Sequence, residues 1–408
     1  MAEIHDLINR LGQEEARLAI PTEMTAGLKP GSKQMILAQA DWSRRIDWAA
    51  DILDREQLRR NWLHSGFCLT ALPHTKPTDD SKAQSLRNGD FALILTPKPI
   101  DADEEGGAIY AGLPYGPKAR LILVYIQTFA IRNQTRRIVL GDNMTSWIRK
   151  LGFNNITGGD RGVITAVNEQ ARRISRTEFT MIWDKDRRRI LTDQALVTGL
   201  DPFAEQDAEE ALPAQLSFLS GVHHPTEPSR RRRRYKWIRE IELADAFYQH
   251  LRDHKVVLAE EAIAKLKGSS WALDVYLWLS YRLRSVDRRT PTISWEQLRL
   301  QFSPRAYQNN THVFRSKIFE PALRDVQAVY PGANFEISDR GLTLLPSALP
   351  IPSNQHQILM PVPVAPEPGT QSPYGPIISN RQSRERDSAN DRVAEEAIKC
   401  IRARRAKP

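Results

Sequence analysis

One predicted helix in the middle of the chain carries side chains that can contact nucleic-acid bases. Its apolar side, at helical spacing, consists of Val163, Ile164, Val167, Ala171 and Ile174. Its opposite side carries Thr165, Asn168, Glu169, Arg172 and Arg176, with Arg173 on the flank. Arg pairs with guanine and Asn with adenine in a major groove, so this side has the composition of a base-reading surface. The other interpretation is the solvated face of an ordinary amphipathic helix.

The elements around this helix would position it as a recognition helix. Between Gly112 and Asp186 the pattern predicts, in order, a helix over 119–131, a strand over 137–140, a helix over 145–151, a glycine turn, the helix just described and a hairpin that begins over 179–183. This is the order of a winged helix, a helix-turn-helix followed by a β-wing. The hairpin tip at 184–189 is basic, and such a tip lies against phosphates. The predicted DNA contacts of this module are Arg149, Lys150, Arg161, Thr165, Asn168, Arg172, Arg173, Arg176, Lys185, Arg187, Arg188 and Arg189.

A second, looser copy of the same order follows about 150 residues downstream. Its third helix is predicted over 311–331 with a kink at Pro321. In an α-helix Phe319 would point away from the side of Phe314 and Ile318, so this helix is less clearly two-faced. The predicted DNA contacts here are Arg305, Asn309, Asn310, Thr311, His312, Arg315, Lys317 and Arg340. The sequence leaves open which module sets specificity.

Charge is segregated along the 408-residue chain, whose formal net charge is +9. Residues 116–200 and 230–346 each carry +8, whereas residues 201–229 between them carry −6. Two phosphate-facing modules would segregate charge in this way, whereas a uniformly solubilising surface would not. Double-stranded DNA is therefore the predicted partner. The five arginines at 230–234 would either grip phosphate or stay solvated.

The remaining segments divide the chain further. Residues 1–63 are predicted to be helical, and the sequence leaves open whether they dock on the body or bind a partner. Apolar runs at 67–72 and 91–95 are predicted to form a pair of strands. The predicted class is α+β, with a helical N-terminal arm (1–64), a first winged-helix domain that includes the strand pair (65–200), an acidic then basic linker (201–235), a second winged-helix domain (236–346) and a disordered proline-rich tail that ends in a candidate basic helix (347–408).

Catalytic and metal-ligating constellations are not evident. The acidic run at 101–105 lacks flanking apolar strands to hold an ion, His223 and His224 are adjacent and precede a proline, and Cys68 and Cys400 lie far apart. We therefore expect no cofactor, no metal and no enzymatic activity. No apolar run reaches the ~18 residues of a membrane span, and the N-terminus lacks the apolar core of a signal peptide. We expect a cytoplasmic protein in a reducing compartment, without membrane contact.

Several stretches resemble motifs of the RepA-type plasmid replication initiators of bacteria. Ala71-Leu-Pro-His74 and Arg87-Asn-Gly-Asp90 are similar to the family's N-terminal strand pair. The stretches that resemble its first winged helix are Leu113-Pro-Tyr-Gly-Pro-Lys-Ala-Arg120, Leu140-Gly141 and Leu151-Gly152. Those that resemble its second are Asp274-Val-Tyr276 with Leu279, and Ile293-Ser-Trp295 with Leu298 and Phe302. The motifs follow the family's order, although Ser303 stands where the family usually has glycine.

The resemblance implies a function. Such initiators bind repeated sequences in a plasmid origin, promote opening of the adjacent AT-rich duplex, and recruit the host replication initiator and helicase. They often repress their own promoter and change between dimer and monomer, so a homodimer and a plasmid- or nucleoid-associated location are implied as well. The alternative is a winged-helix transcriptional repressor without a role in replication, because a fold fixes the DNA contact and not its consequence. A primase or relaxase would need the metal constellation that the sequence lacks.

Overall fold

Helices and small antiparallel sheets make up the described part of the chain, which confirms the mixed α+β class. The computed structural model describes residues 3–159, 161–185, 188–195, 197–198, 240–303, 307 and 310–351. The predicted linker, the arginine run and the tail from residue 352 onward lie outside the described residues. Within those ranges, no helix combines the length and the apolar character that crossing a membrane requires.

The elements are numbered in chain order. The α-helices are α1 (Glu3–Leu11), α2 (Gln13–Leu18), α3 (Thr22–Thr25), α4 (Lys33–Leu53), α5 (Ser65–Leu69), α6 (Gly116–Asn133), α7 (Met144–Lys150), α8 (Val163–Ser175), α9 (Asp245–Asp253), α10 (Glu260–Leu266), α11 (Ser270–Arg282), α12 (Trp295–Phe302), α13 (Thr311–Val313) and α14 (Glu320–Val329). The strands are β1 (Arg60–His64), β2 (Gln84–Asn88), β3 (Phe91–Pro97), β4 (Pro99–Ala102), β5 (Ala108–Tyr110), β6 (Arg137–Val139), β7 (Thr177–Lys185), β8 (Arg188–Ala195), β9 (Val197–Thr198), β10 (Glu240–Leu243), β11 (Lys255–Ala259), β12 (Ile293–Ser294), β13 (Phe335–Ile337) and β14 (Gly341–Leu344). A π-helical turn, Phe314–Phe319, separates α13 from α14.

The N-terminal helices dock on the body of the protein. Helices α1, α2 and α4 enclose a small apolar core, to which Ala328 of α14 contributes. The buried Arg45 of α4 donates from Nε to Asp325 Oδ1 of α14 at 2.8 Å. His5 Nε2 lies 3.2 Å from the carbonyl oxygen of Ala328. These contacts answer the question that the sequence left open about the arm.

The structure corrects the predictions for the end of the arm and for the segment that follows it. Helix was predicted as far as residue 63, but Arg60–His64 forms β1, whose backbone pairs antiparallel with β11 along its whole length. The strand predicted at 67–72 is wrong, because Ser65–Leu69 forms the buried helix α5. A short apolar run fits a buried strand and a buried helix equally well. His64 caps this helix, since its Nδ1 accepts a hydrogen bond from Gly66 N at 3.0 Å.

A four-stranded antiparallel sheet in the order β2-β3-β7-β8 joins the N-terminal strands to the hairpin. The turn between β2 and β3 is Gly89–Asp90, and Gly89 has a φ of +56°, which favours glycine. Strand β3 pairs with β7 along its whole length, with Leu93 opposite Met181 in the buried layer. The strand predicted at 91–95 is confirmed as part of β3, and β8 pairs with β7 where the hairpin is predicted.

We define the first module as residues 112–198, with α6, β6, α7, α8 and the β7–β8 hairpin. Helix α6 is buried over most of its length, because apolar residues surround it on nearly all sides. Asn143 caps α7 by accepting a hydrogen bond from Ser146 N at 2.8 Å. Gly152, with a φ of +87°, follows the end of this helix.

We define the second module as residues 240–346, with α11, β12, α12 and the third helix. That helix is not continuous, because α13 is followed by the π-turn and then by α14. Pro321 lacks the N–H that an α-helical bond would need at this point. A π-turn closes on the fifth residue, so it places Phe314 and Phe319 on the same side. Both rings are fully buried, with their centroids 5.4 Å apart. The π-turn therefore explains how Phe314 and Phe319 come to share one side, which they would not do in the predicted α-helix.

The two modules share one apolar core. Strand β10, which begins the second module, pairs with β6 of the first in a small sheet ordered β6-β10-β9. Strand β1, which precedes the first module, pairs with β11 of the second. Accordingly, the described residues belong to one compact unit.

Candidate nucleic-acid interface

Helix α8 positions the candidate base contacts of the first module. Its buried side consists of Val167, Ala171 and Ile174 and packs on α6. Thr165, Asn168 and Arg172 lie on the other side and are half-buried. Thr165 Oγ1 donates to Gly159 O at 2.7 Å, which fixes the start of the helix to the preceding turn. The arrangement is the one that the periodicity of the sequence predicts.

One polar side-chain atom of Asn168 has no hydrogen-bond partner among the described residues. Its Oδ1 atom is buried and accepts no hydrogen bond from any described residue. Buried polar atoms are nearly always paired, so this atom calls for a partner from outside the described residues, such as water or a ligand. An Asn amide pairs bidentately with adenine, which keeps Asn168 a candidate base contact.

Three arginines crowd the C-terminal end of α8. Burial, and then the charges of Arg173 and Arg176, lower the pKa of Arg172. An arginine nevertheless stays charged under ordinary conditions. The lowered pKa thus reflects burial first and the neighbouring cations second, and clustered cations attract phosphate.

Arg173 differs from its neighbour, because its side chain is only 4% exposed. Its Nη1 donates to Asp80 Oδ1 at 2.9 Å and to Leu113 O at 3.1 Å, and its Nε donates to Glu169 Oε1 at 3.1 Å. The guanidinium also lies over the Tyr115 ring, 5.1 Å from its centroid. A guanidinium buried among these partners does not face solvent, so Arg173 is better described as structural than as the predicted DNA contact.

Exposed cations occupy other predicted positions in the first module. Arg149 and Lys150 end α7, and Arg161 lies in the turn before α8; all three are exposed. Each can reach a phosphate without first breaking a buried contact.

The hairpin carries the remaining predicted contacts of this module. Lys185 pairs in register with Arg188, and Asp184 with Arg189, so the basic residues lie at the end nearest the tip. Arg187 lies outside the described residues, and the structure describes the backbone but not the side chains of Lys185, Arg188 and Arg189.

The start of the third helix in the second module is bonded within the protein. Asn310 accepts a hydrogen bond from Val313 N at 3.2 Å and thereby caps α13. Thr311 Oγ1 donates to Glu296 Oε2 of α12 at 2.9 Å. Two predicted DNA contacts therefore already have structural partners.

Arg315 is likewise bonded within the second module. Its Nε donates to Glu320 Oε1 at 2.6 Å and its Nη1 to Asp339 Oδ1 at 3.0 Å. The guanidinium lies over the Trp295 ring, 5.1 Å from the centroid. Among the described residues of this module, the exposed predicted contacts are Asn310, whose side chain caps α13, and His312, Lys317 and Arg340. Arg305 and Asn309 lie outside the described residues.

A buried ion pair, which the sequence analysis missed, joins the modules. Arg120 of α6 and Asp274 of α11 are 3% and 4% exposed. The guanidinium donates to the carboxylate through Nε at 2.6 Å and Nη2 at 2.5 Å. Burial raises the pKa of the Asp274 carboxyl, and the adjacent guanidinium opposes that rise. The available signal was that Arg120 and Asp274 each stand among apolar residues in a largely apolar helix, because buried charges are paired.

His74, from the first motif of the resemblance, closes this junction. Its ring stacks on Trp271 with centroids 3.4 Å apart. Burial, and then Arg120, lower its pKa well below the usual value, so the ring is neutral. A neutral ring accepts through one nitrogen and donates through the other. Here Nδ1 lies 3.0 Å from Ser270 Oγ and Nε2 lies 3.3 Å from Phe302 O.

Three histidines cluster beside strand β7. His64 Nε2 lies 2.7 Å from His250 Nδ1, and the His254 ring centroid lies 4.2 Å from that of His250. The Trp183 ring lies within 5.1 Å of His250. Burial lowers the pKa of His64 well below its usual value and also lowers that of His250. In the part of the chain that the structure describes, no group of three or more His, Cys, Asp or Glu is arranged to hold a metal ion.

The family model of the plasmid-encoded RepA protein matches residues 113–199 and 218–297 of this chain. The match confirms the resemblance to the RepA type. It covers α8, the β7–β8 hairpin and both partners of the buried Arg120–Asp274 pair. No curated protein and no solved structure matched the chain.

Proposed function

We propose that this RepA-type plasmid replication protein is an initiator that binds repeated double-stranded sequences in a plasmid origin. Bound there, it would promote local duplex opening, recruit the host replication initiator and helicase, and repress its own promoter. The protein acts by binding alone, without a catalytic step, a cofactor or a metal.

Two winged helices would make the DNA contact. In each module a helix, a short strand, two further helical segments and a hairpin follow one another. That order fits a helix-turn-helix with a wing, whose third helix enters the major groove.

The observation that carries the proposal is the outer side of α8. Asn168 and Arg172 lie one turn apart on this side, and both are only half-buried. Asn and Arg are the side chains that read adenine and guanine, and the adjoining arginines supply a positive potential. Base contact by these two residues would give the discrimination that an initiator needs.

Exposed cations would supply affinity. Those of the first module are Arg149, Lys150 and Arg161, and those of the second are Lys317 and Arg340. With ~6–10 phosphate contacts, affinity should fall by ~10³–10⁵ between ~50 and ~200 mM salt.

Footprinting on the DNA that adjoins the gene tests the proposal. Arg172→Ala should lower the preference for the protected repeats over random DNA, whereas Arg188→Ala should weaken both equally. Arg55→Ala removes one exposed charge at the end of α4 and serves as the matched control. Wild-type binding by both Arg172→Ala and Arg188→Ala at every salt concentration would refute the assignment.

A plasmid-maintenance assay separates replication from repression. A plasmid that carries only this gene and the protected repeats should be maintained, and Arg172→Ala should abolish its maintenance. Binding to the repeats without maintenance would favour the repressor. Directly repeated segments of ~20 base pairs, about two helical turns, beside an AT-rich tract would fit an initiator.

A further inference from the structure

Arg120 and Asp274 occupy the same position in equivalent helices of the two modules. Arg120 lies four residues after Gly116, the first residue of α6, and Asp274 lies four residues after Ser270, the first residue of α11. Helices α6 and α11 are each the first element in the series of helix, strand and further helices that makes up a module. The ion pair therefore joins the two modules through equivalent positions of their first helices.

The geometry of this pair is rigid. A guanidinium has five N–H donors in a planar fork. Two of them bond the Asp274 carboxylate, and the others bond the carbonyl oxygens of Leu72 at 2.6 Å, Pro73 at 3.3 Å and Gly116 at 2.8 Å. Because all its donors have acceptors, Arg120 has one favourable orientation, and it holds Asp274 in that orientation too.

Contacts lead from this pair to the candidate DNA-contacting elements on both sides. Tyr115 N, just before α6, donates to Gln170 Oε1 of α8 at 2.8 Å. On the other side, His74 stacks on Trp271 at the start of α11 and lies 3.3 Å from the carbonyl oxygen of Phe302, the last residue of α12. Helix α8 and the helix-turn of the second module are thus both tied to one buried junction.

We propose that Arg120 and Asp274 are positioning residues that fix the spacing at which the two modules contact DNA. This inference rests on the proposed DNA binding. Each added base pair turns a second half-site by roughly 34–36° and moves it by roughly 3.4 Å along the duplex. A rigid pair of modules therefore requires its two half-sites at a single spacing.

Selection from random duplex DNA tests this and identifies the bound site at the same time. Full-length protein is incubated with duplexes that contain roughly 40 random base pairs, about four helical turns. Wild type should recover two half-sites at one spacing. The variant R120M/D274L should recover the same half-sites at several spacings. Apolar side chains can often replace a buried ion pair without loss of the fold.

The size of the effect on spacing can be measured by adding two base pairs between the half-sites of the selected site and comparing affinities. Wild type should bind the lengthened site at least ~30-fold more weakly than the selected site, because contacts to one half-site are lost. R120M/D274L should lose less than ~3-fold, because its modules can adjust to the new spacing.

A matched control distinguishes positioning from general loosening of the fold. R45M/D325L removes a buried Arg–Asp pair that joins the arm to α14 and not the two modules. It should keep the single spacing, and a broadened spacing in this variant would overturn the proposal. If circular dichroism shows that R120M/D274L is unfolded, His74→Ala takes its place, because it keeps both charges and loosens the same junction. An unchanged spacing for His74→Ala would then overturn the proposal.

The outcomes separate this inference from the function on which it rests. If wild type enriches no DNA, the proposed function fails and the positioning role falls with it. If wild type enriches one half-site only, or if R120M/D274L keeps the single spacing of wild type, only the positioning role is overturned.

Discussion

The third helices of the two modules have similar side chains but use them differently. Helix α8 is a continuous α-helix whose outer side carries Asn168, and the buried Oδ1 atom of Asn168 accepts no hydrogen bond from the described residues. In the second module the corresponding helix is interrupted by the π-turn, and Thr311 and Arg315 bond to carboxylates of the same module.

The difference shows that the polar side of a helix does not by itself identify a binding surface. In the second module Glu296 and Glu320 take up the donors that would otherwise face DNA. We therefore expect α8 to supply most of the discrimination, whereas the second module reads its half-site more weakly and adds phosphate contacts through its exposed cations.

The largest predicted effect concerns Arg173, which the structure distinguishes from Arg172. Arg173→Ala should lower the free energy of unfolding by roughly 2–3 kcal/mol, below the ~3–5 kcal/mol of a fully buried pair. The expected loss is smaller than for a fully buried pair because the partners of Arg173, Asp80 and Glu169, have side chains that are 33% and 34% exposed. Urea denaturation measures this effect. Arg161→Ala, which removes an exposed charge just before α8, is the control and should change stability far less; equal losses in both variants would contradict a structural role for Arg173.

The next effect compares one arginine from the third helix of each module. Arg172→Ala should lower the discrimination between selected and scrambled DNA by about 1–3 kcal/mol, or ~5–150-fold. Arg315→Ala should leave that ratio nearly unchanged and should instead lower stability, because Arg315 bonds to Glu320 and Asp339. Competition binding gives both ratios. A larger loss of discrimination in Arg315→Ala would reverse the comparison.

Acid should affect the first module through the histidines beside its hairpin. The pKa of buried His64 and that of His250 are lowered in the folded protein, so the unfolded chain binds protons that the folded chain excludes. Stability is then fully present above the usual pKa of about 6.5 and falls as pH decreases through it. Thermal unfolding should show a lower Tm at about pH 5.5 than at about pH 7.5.

The variant His64→Asn tests the origin of this pH dependence. An Asn side chain can still accept from Gly66 N and cap α5. The fall in Tm on acidification should be smaller in this variant. His5 and His74, whose pKa values are also lowered by burial, account for what remains. An unchanged fall would exclude His64 as a cause.

The smallest effects concern the exposed cations of the second module. Lys317→Ala and Arg340→Ala should each reduce the slope of log K against log salt by ~1 and weaken cognate and random DNA equally. Salt titrations of both DNAs measure this. A selective loss of cognate binding in either variant would move specificity to the second module.

Pattern reasoning predicted the elements whose local signals were strong. The spacing of Val167, Ala171 and Ile174 gave α8, and the alternation after Thr177 gave β7. Pattern reasoning failed at α5, because a short apolar run fits a buried strand as well as a buried helix. It also failed at the π-turn, which brings Phe314 and Phe319 to the same buried side just before Pro321. The structural roles of Arg173 and Arg315 could not be predicted, because in sequence both are ordinary helix arginines. Their bonds to Asp80 and Asp339, which are distant in sequence, appear only in the folded structure.

A base-by-base binding profile tests the central claim most directly. Every position of the selected site is substituted in turn, and the affinity of wild type is compared with that of Arg172→Ala and of Asn168→Ala. Each variant should lose its preference at one or two adjacent positions of a single half-site and keep the rest of the profile. Profiles that match wild type at every position, or that weaken uniformly, would contradict base reading by α8.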